Sequence, residues 1–113
     1  MKCVVKVDVV NTAQSNLIGM RLENDCWVTD INGTPDEVRE YYKIGKVFGM
    51  GYGHCDVFGK RHEDHLMQVE NVFVLESCEK TNQFVNWLGK KYGWDWKEHF
   101  DEMEYAKFCS LKP

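Results

Sequence analysis

Apolar and polar residues alternate along the first part of the chain. Within residues 2–10, apolar side chains occupy every second position, and charged side chains occupy most of the positions between them. This period of two predicts a half-buried strand. The alternation resumes over residues 17–23 and again over residues 26–31, and Asn24-Asp25 between them can form a two-residue hairpin turn. The first third of the chain is therefore predicted to be an antiparallel meander.

The sequence TPDE at residues 34–37 predicts the start of a helix. The side chains of Thr34 and Glu37 can each accept a hydrogen bond from the other's backbone N–H, and Pro35 suits the first helical position. Apolar residues then recur at helical spacing as far as Phe48, and the glycines that follow predict the end of the helix. We expect this helix to begin at Pro35 and to pack across one face of the meander.

Residues 66–76 alternate again and predict a fourth strand. Its odd-numbered apolar residues are Met67, Val69, Phe73 and Leu75, and we expect them to share one face. This strand is expected to join the sheet of the meander.

Two helices are predicted after this strand. Ser77 can cap the first, over residues 78–91, and Asp95 can cap the second. The apolar stripe of the second helix is predicted to consist of Trp96, Phe100 and Met103. The last third of the chain is therefore expected to be mainly helical.

The predicted order of elements is β-β-β-α-β-α-α, with a loop before the last strand. Because strands and helices do not alternate strictly, this order favours an α+β fold with a small antiparallel sheet of about four strands and the helices packed on one face. The chain has 113 residues, of which 43% are hydrophobic, and this is enough to bury a core. We expect a single α+β domain over residues 1–113.

The charge of the chain argues against several classes of protein. The formal net charge is −4 and the sequence pI is about 5.5, so the overall positive field of DNA and RNA binders is missing. No apolar run approaches the roughly 18 residues of a membrane span. We therefore expect a cytoplasmic protein that contacts neither nucleic acid nor membrane directly.

The five cysteines are an odd number and include no C-x-x-C pair. A disulfide framework normally has an even number of cysteines in a secreted chain. We expect reduced thiols that are mostly buried as small hydrophobic residues.

The stretch GYGHCDVFGKRHEDH, residues 51–65, concentrates residues that could bind a metal. Imidazole and thiolate groups are the usual zinc donors, and a structural site needs about four of them. The candidates are His54, Cys55, His62 and His65. Their spacing lacks the paired ligand patterns of zinc sites, so we expect no cofactor, with zinc as the alternative.

The same stretch also contains Lys60 and Arg61, which could hold an anion, while Tyr41 and Tyr42 could stack on a base. These four residues define the alternative of a nucleotide or small-anion binding protein. The neighbouring glycines follow a helix instead of leading into one, unlike the glycines of phosphate-binding loops.

The end of the chain is rich in aromatic and acidic residues. Trp94 and Trp96 belong to a residue type that often anchors protein interfaces, and five acids with one lysine lie between Asp95 and Glu104. This surface could dock on a basic partner. In the other interpretation the aromatic residues complete the core and the acids form a solvated helix face.

These features favour a small binding or inhibitor protein that acts through protein–protein contacts, of the kind that phages and mobile elements encode against host defence enzymes. We expect a protein partner with a basic surface, and self-association into a homo-oligomer is an alternative. Two other function classes stay open: nucleotide or small-anion binding, and a metal-dependent hydrolase or nuclease that uses residues 54–65. An enzyme is the less favoured interpretation, because the sequence contains no known catalytic motif.

Overall fold

The computed structural model describes residues 1–13, 22–49, 53–55, 57–59, 61–63 and 65–111. Its strands are β1 (Lys2–Ala13), β2 (Leu22–Asn32), β3 (Val47–Gly49), β4 (Gly53–Cys55), β5 (Arg61–Glu63) and β6 (His65–Glu76). Its helices are α1 (Pro35–Tyr41), α2 (Glu79–Tyr92) and α3 (Glu102–Ser110), with a 3₁₀ helix (Gly93–His99) between α2 and α3.

A four-stranded antiparallel sheet in the order β2-β1-β6-β3 forms the centre of the fold. The long strands β1 and β6 pair along nearly their whole length, and β2 lies at one edge of the sheet. Strands β4 and β5 pair with each other as a separate two-stranded ribbon. The α+β class and the four-stranded antiparallel sheet that the sequence predicts are confirmed.

The sheet is covered on both faces, and the helices are divided between them. On one face Val38 of α1 packs against buried valines of β1 and β6. On the other face Val4 packs against Phe84, Leu88 and Phe100 from the helical end of the chain. Helix α1 therefore lies on one side and α2 and α3 on the other, whereas the sequence places all helices on one face.

Strand β1 is buried on both faces, although its pattern predicts a half-buried strand. Val5 and Val7 are fully buried on the side of α1. On the opposite side Val4 is 8% exposed and Lys6 is 6% exposed. A charged residue at position 6 predicts a solvent-facing side chain. Lys6 is buried instead, because the Glu98 carbonyl and Asp8 are its polar partners.

A β-bulge at Glu70 changes which side chains of β6 face each helical layer. Asp8 and Val9 are adjacent in β1, yet their partners in β6 are Asn71 and Val69, so Glu70 has no partner in β1. Val69 packs in the layer of α1, whereas the odd-numbered apolar residues beyond the bulge pack in the layer of α2 and α3. The prediction of one shared face for these residues is wrong for this reason.

Asn24 and Asp25 are strand residues of β2, so the hairpin turn predicted there is wrong. They pair with Val10 and Val9 of β1. Pairing with the long strand β1 keeps both residues extended, and this outweighs their turn preference. The strand predicted over residues 17–23 falls partly outside the described residues.

Helix α1 begins as predicted but ends earlier. Thr34 accepts a hydrogen bond from the Glu37 N–H at 3.2 Å, and Glu37 accepts one from the Thr34 N–H at 3.1 Å. The helix ends at Tyr41 instead of continuing to Phe48. Gly45 adopts a φ of 90° and donates its N–H to a carbonyl of β6 at 2.8 Å, which turns the chain into β3.

The caps of the later helices differ from those predicted. Cys78, and not Ser77, is the N-cap of α2, and its side chain makes no capping hydrogen bond. Asp101, and not Asp95, caps α3, where its side chain accepts from the Glu104 N–H at 2.8 Å. The helix predicted over residues 78–91 corresponds to α2, whereas the one predicted after Asp95 is replaced by the 3₁₀ helix and α3.

Met103 is 72% exposed, although the predicted stripe includes it. The 3₁₀ helix has three residues per turn and ends before Asp101, so an α-helical period cannot continue through it from Trp96. Glu104 takes the buried position in α3 instead.

The molecule is elongated, with extents of 64 × 30 × 19 Å. Strands β1, β2 and β6 contain 11 or 12 residues each, and a strand of this length spans about 40 Å. No helix in the described part of the chain is both long and apolar enough to cross a membrane.

Candidate functional site

A groove of about 640 Å³ lies between the edge strand β2 and the helical layer. Strand β2 contributes Val28 and Asp30, α2 contributes Val85, and the 3₁₀ helix contributes Trp96 and Lys97. The other lining residues are Val4, Thr29, Asn82 and Asn86. A concave, partly apolar surface of this size is typical of a binding site. We call it the β2 groove.

A second cavity, of about 310 Å³, lies along the same strand. Its lining residues are Lys6, Asp8, Asn24, Asp25, Cys26 and Glu98. Three carboxylates and one ammonium group give it a negative formal charge, and we call it the acidic pocket. Cys26 and Val28 are two residues apart in β2, so they share one face of the sheet about 6.6 Å apart. The β2 groove and the acidic pocket are therefore neighbours.

Lys6, which lines the acidic pocket, is buried and fixes the 3₁₀ helix to β1. Its Nζ donates to the backbone carbonyl of Glu98 at 2.7 Å and lies 3.3 Å from Oδ1 of Asp8. A buried ammonium group is tolerated only where such partners replace water. This contact holds the 3₁₀ helix in a defined position beside the sheet.

The Cys26 thiol in the acidic pocket is not prepared for nucleophilic chemistry. Burial is the largest cause that raises its pKa, Lys6 acts in the opposite direction, and Asp8 raises the pKa further. A thiol with a raised pKa is protonated at neutral pH, and the thiolate is the reactive form. The reactive thiolate form of Cys26 is therefore scarce at neutral pH.

Trp94 is 88% exposed, whereas Trp87 and Trp96 are half-buried and pack in the helical core. Residues three apart in a 3₁₀ helix lie on the same side of it, so Trp94 and Lys97 share a side. Lys97 lines the β2 groove, and Trp94 precedes it by one turn of the 3₁₀ helix. The aromatic residues of the tail thus divide into core residues and one exposed tryptophan.

The acidic residues of the tail divide in the same way. Glu104 is 6% exposed, accepts a hydrogen bond from the Tyr92 hydroxyl, and pairs with Lys91 and Lys107. The hydrogen bond from Tyr92 is the largest cause that lowers the pKa of Glu104. Asp101 is used as a helix cap. The exposed acids of the tail are Glu98 and Glu102.

The metal-ligand candidates are placed by their strand positions. His54 in β4 is the register partner of His62 in β5, and Cys55 is the partner of Arg61. His65 begins β6, and the side chains of the three histidines lie outside the described part. Within that part, no group of three or more His, Cys, Asp or Glu residues could hold a metal ion.

The anion-binding candidates occupy two different parts of the chain. Lys60 lies outside the described residues, and Arg61 is a strand residue of β5. Tyr41 and Tyr42 pack edge to face with 4.7 Å between ring centroids. The ammonium group of Lys46 lies 4.4 Å from the centroid of Tyr41, so a stacking base has to compete with it for that face.

All five cysteines are free, but the expectation that most are buried is wrong. The buried one is Cys3, Cys26 is half-buried, and the exposed ones are Cys55, Cys78 and Cys109. The exposed cysteines lie in the ribbon and at helix ends. The alternation of apolar residues that predicts burial in a strand does not apply to these positions.

The sequence predicts Trp94 and Trp96 as binding residues but does not predict the β2 groove. Val28 and Val85 look like ordinary core residues, and the groove arises only because β2 and α2 lie side by side in three dimensions. One signal for the acidic pocket is present in the sequence, since Asp8 is a charged residue within a predicted strand.

Comparison of the chain with protein-family models, with curated proteins and with solved structures found no match. The candidate site consists of the β2 groove, the acidic pocket and Trp94.

Proposed function

We propose that this chain is a small protein-binding module that docks on a basic surface of a partner protein through its 3₁₀ helix. The observation that carries the proposal is Trp94, which is 88% exposed on a helix that is otherwise fixed to the core. Tryptophan is among the residues most enriched at the energetic centres of interfaces. A partner that covers this ring gains the free energy of burying a large apolar surface.

The 3₁₀ helix is held at several points, so it can present an anchor with little loss of conformational entropy. Tyr92 stacks on His99 with 3.5 Å between ring centroids. Lys6 donates to the carbonyl of Glu98, and Phe100, directly after the helix, is fully buried. A preorganised surface loses less freedom on binding than a mobile one.

The charge near the 3₁₀ helix favours a basic partner. Glu98 and Glu102 are exposed, the acidic pocket adjoins the helix, and the chain has a net charge of −4. Opposite charge on a partner accelerates encounter and selects against acidic proteins. If the partner is an enzyme that uses its basic surface for nucleic acid, docking there would inhibit it, in line with the inhibitor role that the sequence favours.

Affinity capture with three baits tests the proposal: the unchanged chain, Trp94→Ala and Met103→Ala. Met103 is the matched control because it is also a large apolar side chain, 72% exposed, on the neighbouring α3. We expect a protein from the native host cell to be captured by the unchanged chain and by Met103→Ala. The dissociation constant of this protein, once purified, should rise about tenfold or more with Trp94→Ala.

The proposal fails if the captured protein binds Trp94→Ala and the unchanged chain equally well. It also fails if the partner is acidic and its binding does not weaken when salt is added, since attraction between exposed charges is screened by salt.

A further inference from the structure

The outer edge of β2 indicates how a partner could bind beside the 3₁₀ helix. Among the described residues, β2 pairs only with β1. An unpaired strand edge presents backbone N–H and C=O groups that can form a ladder with another chain. Here that edge runs along both the β2 groove and the acidic pocket.

The hydrogen bonds at the end of β2 identify the residues that face outward. The Gly33 N–H donates to the Met1 carbonyl at 2.8 Å. Hydrogen-bonded and non-hydrogen-bonded residues alternate in an antiparallel pair, so the odd-numbered residues of β2 bond to β1. The even-numbered residues direct their backbone groups to the outer edge. The Cys26 N–H agrees with this, because it donates to Oδ1 of Asp25 at 2.8 Å.

Val28 is at the centre of the available edge. The Cys26 N–H is already held by Asp25, and the Asp30 carbonyl lies 3.4 Å from the Thr29 hydroxyl. For the Val28 N–H and C=O, the described residues supply no hydrogen bond. The Val28 side chain lines the β2 groove. A strand that pairs with Val28 therefore finds a groove for its own side chain directly beside the backbone ladder.

The charges along β2 decide which chain fits there. The acidic pocket includes Cys26, two residues from Val28, and it contains Asp25 and Glu98. Side chains two residues apart on an added strand share a face and are about 6.6 Å apart. An apolar side chain over the β2 groove thus brings the residue two positions away to the acidic pocket, where Arg or Lys pairs with the carboxylates.

We infer that an extended segment of the partner adds to β2 as a further strand, with an apolar side chain in the β2 groove and an Arg or Lys, two positions away, at the acidic pocket. This inference rests on the proposed function and names the form of the partner segment. A second copy of this chain is the poorer occupant, because each copy has a net charge of −4 and like charges repel.

A capped synthetic peptide, Thr-Arg-Thr-Val-Thr-Arg-Thr, is a suitable probe. It has an Arg on both sides of its Val, so one Arg reaches the acidic pocket whichever way the strand runs. Two control peptides replace both Arg by Glu or carry an N-methyl group on the Val, which removes one ladder donor. Titration into the isotope-labelled chain should shift the amide signals of Val28, Asp30 and Glu98. Each control peptide should bind about tenfold more weakly.

Two pairs of variants separate backbone pairing from charge. Asp30→Pro removes an outward N–H together with the charge, whereas Asp30→Ala removes the charge alone, and Pro is tolerated on a strand edge at such a position. Glu98→Gln removes a charge of the acidic pocket, and Glu102→Gln removes an exposed charge outside it. We expect Asp30→Pro to bind the peptide about tenfold more weakly than Asp30→Ala, and Glu98→Gln several-fold more weakly than Glu102→Gln. Folding of each variant is verified by its amide spectrum.

The inference is overturned if the peptide gives no shifts at millimolar concentration, if the Pro and Ala variants bind it equally, or if the Glu peptide binds as well as the Arg peptide. It is also overturned if sedimentation shows a dimer that Asp30→Pro dissociates, because β2 would then pair with a second copy. If a partner is still captured and its capture depends on Trp94, the proposed function stands although the inference on β2 fails. If that capture is lost too, both the proposed function and the inference fail.

Discussion

The hydroxyl of Tyr92 donates a hydrogen bond of 2.5 Å to Oε1 of Glu104 and thereby joins the end of α2 to α3. Lys91 and Lys107 lie 3.3 and 3.4 Å from the same carboxylate. A carboxylate that is mostly withdrawn from water stays ionised when it accepts a hydrogen bond and has cationic partners. The 3₁₀ helix that carries Trp94 lies between the two helices that this contact joins.

Acid should destabilise the fold through Glu104. Its pKa in the folded state is lowered from the ordinary value of 4.5, chiefly by the Tyr92 hydrogen bond. The unfolded chain therefore binds the proton more tightly. The contribution of Glu104 to the free energy of unfolding is fully present above about pH 4.5 and is lost as pH falls through the folded pKa. Urea unfolding at a series of pH values measures this loss. The free energy of unfolding of Glu104→Gln should fall less with acid than that of the unchanged chain.

Glu102→Gln is the matched control, because Glu102 is exposed on the same helix. Its free energy of unfolding should fall with acid as steeply as that of the unchanged chain. If Glu104→Gln gives this same slope, the ionised Glu104 does not contribute to stability in the way described.

The variants Gly89→Ala and Gly93→Ala should change the free energy of unfolding in opposite directions. Gly89 lies inside α2, where an added Cβ meets nothing within 4 Å. Alanine there should raise the free energy of unfolding by about 0.5–1 kcal/mol. Gly93 ends α2 with φ 66° and ψ −136°, a conformation that side chains disfavour, so Gly93→Ala should lower it by about 1–3 kcal/mol. Chemical denaturation measures the free energy of unfolding of both variants. Stabilisation by Gly93→Ala would contradict the backbone conformation at Gly93.

The elements that the sequence predicts correctly are those with local causes. The capping box of Thr34 and Glu37 lies within four residues, and the helix predicted over residues 78–91 corresponds to a single element, α2. Both signals depend on neighbours along the chain, which a single sequence displays directly.

The features that the sequence does not predict depend on distant partners. The bulge at Glu70 exists only in relation to β1, and Asn24-Asp25 stays extended only because β1 continues beside it. The same holds for Lys6, whose partner is a carbonyl 92 residues away. The candidate site follows this rule: Trp94 is recognisable by its residue type, but the β2 groove requires knowledge of which strand forms the edge.

Lys6 should prove important for the position of the 3₁₀ helix. Lys6→Met keeps most of the apolar stem but removes the donor to the Glu98 carbonyl and the partner of Asp8. A buried polar group left without its partner costs about 1–3 kcal/mol. We expect a loss of stability of this size in urea unfolding, together with faster amide hydrogen exchange in residues 93–99 than in the unchanged chain.

Lys2→Met is the control for this experiment, since Lys2 lies in the same strand but is exposed. It should change stability by no more than about 0.5 kcal/mol. Unchanged exchange in residues 93–99 of Lys6→Met would show that the 3₁₀ helix is held without this contact.

Cys78 should react faster with an alkylating agent than Cys109, which is also exposed. Its Sγ lies 3.5 Å from the Thr81 hydroxyl at the start of α2. This hydrogen bond is the largest cause that lowers the pKa of the thiol. A lower pKa gives a larger thiolate fraction near neutral pH, and the thiolate is the nucleophile. Mass spectrometry of iodoacetamide-treated protein over a pH series should find Cys78 modified before Cys109.

Cys109 is the internal reference, because it is exposed on α3 in the same molecule. Thr81→Ser keeps the hydroxyl and should leave the rate at Cys78 nearly unchanged, whereas Thr81→Val removes it and should slow Cys78 without slowing Cys109. The Thr81 hydroxyl has one proton, for which the Glu76 carbonyl at 2.6 Å competes with the Cys78 sulfur, so the folding of Thr81→Val has to be verified separately. Equal rates at Cys78 and Cys109 in the unchanged chain would show that the hydrogen bond does not favour the thiolate.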